Sequence, residues 1–204
     1  MNDLYTLFRQ SLAGLRLLAV LTLLLGVAYP LTLTGIAQVA LPWQANGSLV
    51  TASGAHTTDA DEAVGSVLIG QPSDDEALFL NRPSAAGDGY DMLASYGSNL
   101  GPSNTDLVAA ILERRTAIAE LEDVAAGTVP PDAVTASGSG LDPDISPTYA
   151  ALQVPRVARA NDLAEVEVER LVAEHTSGRT WGVLGEPRVN VLELNIAVRR
   201  LAGS

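Results

Sequence analysis

Residues 17–41 carry no charged side chain, and this uncharged run constrains the fold more than any other feature of the chain. Wound as a helix at about 1.5 Å per residue, it reaches roughly 37 Å, enough to cross a hydrocarbon core of about 30 Å with some tilt. Arg9 and Arg16 resemble the basic flank of a secretory signal, and Ala37-Gln38-Val39-Ala40 loosely resembles a cleavage site. The run exceeds the roughly 7 to 15 apolar residues of a signal core, so it is expected to stay as one transmembrane anchor. Pro30 and Pro42, with Thr32, Thr34 and Gly35 between them, predict a kink or an end of the helix in its outer half. Backbone groups freed there need protein partners in lipid, which makes Pro30, Thr34 and Gly35 candidate contacts with other membrane helices. Both early arginines precede the run and the next is Arg82, so the N-terminus is expected in the cytoplasm and residues 46–204 outside.

Composition narrows the chemistry. The chain of 204 residues has room for the anchor (1–45) and one further domain (46–204). Its 24 carboxylates outweigh 12 arginines, and it contains no lysine. Without lysine there is no phosphate-binding GxxxxGK[ST] loop and no Schiff base, so nucleotide chemistry in any energy-driven process must belong to another chain. The absence of cysteine removes disulfides, thiolate nucleophiles and sulfur metal sites. A net charge of −12 argues against nucleic acid as a partner. The acidic surplus reads as a solvated face that could also draw cations toward a pore.

Beyond the anchor, residues 46–61 read as a connector with one strand near 49–51. VGSVLIG (64–70) and Leu78-Phe79-Leu80 read as strands, and 83–102 as an ordered loop. Ser103-Asn104 should cap a helix reaching to about Ala126, with Leu107, Val108, Ile111, Leu112, Ile118 and Leu121 at helical spacing and Gly127 as its stop. Ser146 begins a short helical piece. Asp162 with Glu165, and Asn190 with Glu193, match capping boxes opening two more helices. The expected class is α+β: one N-terminal transmembrane helix followed by a helix-dominated extracytoplasmic domain.

No motif points to a catalytic centre. His56 and His175 lie far apart in sequence, and His175 falls in a last helical turn, where a cation suits the dipole. Ser139, Asp142 and His175 could form a hydrolase triad on paper, but GxSxG is missing. Asp142-Pro143-Asp144 lacks the remaining ligands of a calcium loop, and Gly138-Ser139-Gly140 lacks the third glycine of a dinucleotide loop. No metal site is expected.

Seven stretches carry a resemblance: YPLTLTGIAQ (29–38), GSVLIGQ (65–71), NRPSAAGDGYD (81–91), ASYGSNLGPSN (94–104), VTASGSGLDPDISP (134–147), LQVPRVARAN (152–161) and GEPRVNVLELNIAV (185–198). In order and spacing they resemble the C subunit of Kdp-type potassium-transporting ATPases over nearly the whole chain. The resemblance implies a bacterial plasma-membrane complex. In it a channel-like A subunit selects potassium, a P-type B subunit hydrolyses ATP and a small F subunit lies in the membrane. It further implies that the C subunit supports assembly and acts as a catalytic chaperone raising the ATP affinity of the B subunit, so that ATP is met only through that partner. Thr148-Tyr149 stand where the family pattern has a glutamine and a small residue, which weakens a direct nucleotide contact. With residues 46–204 outside, any effect on ATP affinity has to be conformational or pass through the membrane helix.

The leading expectation is therefore a non-catalytic accessory subunit of a potassium transporter; the alternative is a membrane-anchored extracytoplasmic hydrolase. Candidate outer contacts are the loop Gly97, Ser98, Asn99, Leu100 and a turn containing Gln153, Pro155 and Arg156. The topology has a direct test. A C-terminal tag should react with a membrane-impermeant label in intact cells, and a shielded tag would reverse the assignment.

Overall fold

The computed structural model describes residues 2–73 and 75–203. The chain divides into two compact units, Met1–Ser48 and Leu49–Ser204.

The first unit is helical. Helix α1 (Asn2–Leu23) passes through a π-helical turn at Leu24–Ala28 into α2 (Tyr29–Ala40), and the short α3 (Pro42–Ala45) follows. Asp3–Ala40 forms one helix long and apolar enough to cross a membrane, with a mean hydropathy of 2.1 and no buried residue in its most apolar stretch. Pro30 neither ends the helix nor leaves it regular. Its missing N–H is accommodated just upstream, where Tyr29 N donates to Leu24 O in a widened turn. Thr32 Oγ1 donates to Ala28 O at 2.8 Å, so part of the disturbed backbone is satisfied from within the helix. Regular helix ends at Leu41, one residue before Pro42. Beyond it, Asn46 Nδ2 donates to Pro42 O at 2.6 Å and to Gln38 Oε1 at 3.0 Å.

The second unit is α+β with helices dominant. Strands β1 (Leu49–Thr51), β2 (His56–Thr57) and β3 (Ala63–Ser66) form an antiparallel sheet ordered β2-β1-β3, with Val50 opposite His56 and Gly65. The expected strand over 64–70 thus stops at Ser66. Helix α4 (Thr105–Glu122) opens on Asn104, whose Oδ1 accepts from Asp106 N and Leu107 N. It ends earlier than the expected stop at Gly127, because Asp123 turns into the left-handed region at φ 53°. A 3₁₀ turn (Ala126–Thr128), α5 (Pro131–Val134) and β4 (Asp144–Ile145) lead to the central helix α6 (Pro147–Ala160).

Ser146 caps α6, accepting from Tyr149 N at 3.0 Å. The expected short piece is a helix of 14 residues, and its buried face recurs at Tyr149, Ala150, Gln153, Val154, Val157 and Ala158. Pro155 lies inside it on the exposed side, as does Ala151, the residue whose carbonyl the proline leaves without a helical donor. Helix α7 (Glu165–Glu174) packs on α6. Ala164 rather than Asp162 is its N-cap; Asp162 sits at φ 54°, and Glu167 Oε2 accepts from Ala164 N. Strand β5 (Thr176–Ser177), β6 (Arg188–Asn190) and α8 (Val191–Ala202) complete the unit, with β6 between β4 and β5. Asn190 caps α8 as expected, accepting from Glu193 N at 3.2 Å.

The core gathers Tyr149, Val154 and Val157 of α6, Val168 of α7, Val189 of β6, Leu194 and Val198 of α8, and Leu78 and Phe79 from the connecting segment. Phe79 is fully buried. Phe79→Ala should cost about 3–5 kcal/mol in chemical denaturation of the full-length chain in detergent. A loss below about 1 kcal/mol would show that the segment is not part of the core.

Candidate functional site

Residues 78–80 do not form the expected strand, because no neighbouring strand pairs with them. Their backbone is satisfied by side chains instead. Asn195 of α8 brackets Phe79: its Oδ1 accepts from Phe79 N at 2.8 Å and its Nδ2 donates to Phe79 O at 2.9 Å. Gln153 of α6 brackets Leu80 in the same way, at 2.7 and 3.2 Å. Asn161 Nδ2 donates to Ala77 O at 2.6 Å. Each amide offers one donor and one acceptor at the spacing of a peptide group, so Asn195 and Gln153 act as one-residue substitutes for a partner strand.

Arg156 ties this clamp together. Its Nη1 donates to Leu78 O at 2.9 Å and to Glu76 O, its Nη2 to Gln153 Oε1 at 2.8 Å, and its Nε to Glu122 Oε1 at 2.9 Å. Arg156 and Glu122 are both buried, so this ion pair joins α6 to the end of α4 inside the domain. Burial pushes the Glu122 carboxyl above its usual range, and the Arg156 guanidinium only partly offsets that. Asp144 of β4 is also pushed up by burial, against the opposing pull of Arg188 at 3.1 Å.

A second feature organises the long loop between β3 and α4. Ser84 Oγ donates to Gly140 O at 2.6 Å and accepts from Ala86 N and Tyr90 N. Tyr96 N and Ser95 Oγ both donate to Ser139 O, at 2.9 and 3.0 Å. Two glycines permit the approach. A Cβ on Gly97 would stand 2.7 Å from Gly138 O, and one on Gly140, which has φ +68°, would stand 2.6 Å from Tyr96 O. Below this staple, the Tyr90 hydroxyl donates to Arg82 O, and Arg82 Nη1 pairs with Asp142 at 2.8 Å. Desolvation pushes the Tyr90 hydroxyl upward, so it remains a protonated donor. Outside the staple the loop offers apolar groups to solvent: Leu93 is 98% exposed and Met92 is exposed beside it.

The residues expected at contacts therefore separate into two groups. Ser98, Asn99 and Leu100 lie exposed beyond the staple, whereas Gly97 is buried in it. Gln153, Pro155 and Arg156 are not in a turn but within α6; Gln153 and Arg156 face inward as the clamp, and Pro155 faces solvent. Pro30, Thr34 and Gly35 are exposed along α2. Thr148 is exposed in the first turn of α6.

The hydrogen bonds of Ser139, Asp142 and His175 lead to separate places. Asp142 holds Arg82, Ser139 Oγ accepts from Leu141 N, and His175 Nδ1 lies 2.9 Å from Leu171 O. Among the described residues no group of His, Cys, Asp and Glu is placed to hold a metal ion. A cleft of about 410 Å³ opens beside Arg82, Tyr90 and Arg114. Arg82 already pairs with Asp142, and Arg114 Nη1 donates to Val134 O at 3.2 Å. Sequence reasoning missed Glu122, Asn161 and Asn195. Asn195 was visible as a polar residue on the apolar face formed by Val191, Leu194 and Val198, a placement that signals a buried hydrogen-bonding role.

Residues 11–200 match the family described as "K+-transporting ATPase, c chain". The chain is 52% identical to a potassium-transporting ATPase KdpC subunit of Kineococcus radiotolerans, over 98% of this chain and 97% of that one. Its identity to the subunit of the same name in Beijerinckia indica is 53%, over 89% and 88% of the two chains. For Mycobacterium tuberculosis it is 50%, over 95% and 99%.

The buried pair yields a prediction with a sign. Removing Arg156 leaves a buried carboxylate unpaired and strips donors from two carbonyls, so Arg156→Met should cost about 3–5 kcal/mol. Glu122→Gln should cost less at neutral pH, because the folded state already disfavours the charged carboxylate. A folded pKa above the unfolded value contributes stability that is present in acid and lost as pH rises through the folded value. Acidification through that raised value toward the ordinary 4.5 should therefore widen the advantage of the wild-type chain over Glu122→Gln. Denaturation of both chains across pH checks this, and a gap that narrows on acidification would show that the ion pair outweighs burial.

Proposed function

Because the chain belongs to the family of K+-transporting ATPase c chains, we propose that it serves as a non-catalytic accessory subunit of an ATP-driven potassium uptake complex. The observation that carries this reading is the match across 11–200, which takes in both the apolar helix and the domain beyond it. The partners are a channel-like A subunit that selects potassium, a P-type B subunit that hydrolyses ATP and a small F subunit. The setting is the bacterial plasma membrane, with the N-terminus cytoplasmic and Leu49–Ser204 outside; the placement of Arg9 and Arg16 before the uncharged run supports that direction.

The structure supports a scaffold more than a catalyst. The buried polar side chains Gln153, Arg156 and Asn195 spend their hydrogen bonds on one another, on Glu122 and on the backbone of 76–80. They therefore rigidify the domain and leave its exposed loops as the surface that partners meet. The residues proposed for contact are Pro30, Thr34 and Gly35 in the membrane, and Ser98, Asn99, Leu100 and Pro155 outside it. Gly97, Gln153 and Arg156 act indirectly by shaping the loop and the helix that present them. A chaperone effect on ATP affinity then runs through conformation or through the membrane helix, since an external domain cannot reach cytoplasmic nucleotide.

Two attachment points predict a split result. Expressed with the A and B subunits, the domain 49–204 without its helix should associate weakly, because the anchor no longer supplies a high effective concentration. The anchor by itself should fail to restore potassium-stimulated ATP hydrolysis. Full activity from the anchor fragment alone would show the outer domain to be dispensable.

A further inference from the structure

Between β5 and β6 the chain projects a small hairpin, residues 178–187, whose tip is apolar. Thr180 and Leu184 exchange both backbone hydrogen bonds, at 2.9 and 3.0 Å, and Gly182 N donates to Arg179 O at 2.9 Å. Arg179 Nη2 meets Glu186 Oε2 at 2.6 Å across the stem. The tip is therefore held in one shape, yet Trp181 is 86% exposed, Val183 71% and Leu184 54%. Trp181 also sits at φ 53°, followed by Gly182 at φ 77°. A left-handed position costs a bulky side chain on the order of 1 kcal/mol, and Asn or Gly avoids that cost. Neither burial nor backbone preference explains a tryptophan at this point.

We infer that this hairpin is a docking knob: Trp181 and Val183 insert into an apolar cleft of another protein subunit of the same complex, on the side of the membrane where this domain lies. The inference rests on the accessory-subunit reading and adds the element that makes the contact. A protein occupant fits better than lipid because of the charges in the stem and at the base of the hairpin. Loops that lie on a bilayer surface combine apolar side chains with uncompensated cations. Here Arg179 is neutralised by Glu186, and Arg188 by Asp144 at 3.1 Å. An exposed, preorganised tryptophan above a stem closed by an ion pair instead has the composition of an interface centre with a polar neighbour.

The test uses the full-length chain co-expressed with the other subunits of the transporter. The variant Trp181→p-benzoylphenylalanine, irradiated in the membrane, should form an adduct with another subunit of the complex. An adduct with lipid or with a second copy of this chain, or no adduct, would overturn the inference. In parallel, Trp181→Ala combined with Val183→Ser should lower retention of the chain on a tagged ATPase subunit by about tenfold. Both positions are exposed, so the thermal transition should be unchanged. Undiminished retention of the variant beside a well-retained wild type would remove the hairpin alone. Loss of the wild type itself from the purified complex would remove the accessory-subunit reading on which it rests.

Discussion

The second unit, Leu49–Ser204, depends on one buried guanidinium. Arg156 binds the carboxylate of Glu122, two carbonyls of the 76–81 segment and the amide of Gln153, so a single side chain fixes α4, α6 and the connecting segment relative to one another. Without it the segment would keep its apolar residues but lose the donors that make their burial tolerable. Buried ion pairs often add little net stability compared with apolar packing. What this one supplies is specificity of position. It holds the carbonyls of Glu76 and Leu78, in a domain whose described strands are no longer than four residues and therefore specify little by themselves.

That rigidity gives the exposed parts their meaning. The loop carrying Met92, Leu93 and Leu100 is stapled at Gly97 and Gly140, and the hairpin carrying Trp181 is closed by its own ion pair. Apolar groups on ordered supports lose little conformational freedom when a partner covers them. The same logic applies to the apolar helix, whose side chains face outward along its length. Its π-helical turn before Pro30 keeps the backbone largely self-satisfied, which a helix in a hydrocarbon environment requires.

Much of this was legible in the sequence, and the exceptions share a cause. The apolar run, the α+β class, the Asn104, Ser146 and Asn190 caps and the ordered loop before α4 follow from local rules: hydropathy, capping chemistry and glycine or proline content. The errors arose where tertiary contacts replaced local ones. Residues 78–80 look like a strand because they are apolar and extended, but side chains from residues 153, 156 and 195, far away in sequence, do the pairing. Gln153 through Arg156 looks like a turn because of Pro155, yet the proline sits on the solvent side of α6, where the carbonyl it frees stays close to water. Asp162 matches a capping pattern but adopts the left-handed region, and the helix begins after Ala164. The Trp181 hairpin drew no notice, because an exposed apolar side chain cannot be told from a core one by residue type.

Native-state amide hydrogen exchange on the full-length chain tests the central claim, that side chains hold 76–80 as firmly as a partner strand would. The amides of Phe79 and Leu80, whose acceptors are Asn195 Oδ1 and Gln153 Oε1, should exchange only through global unfolding, with protection equal to that of the α6 core. Exchange of these two amides at the rate of the exposed 98–100 loop would contradict it.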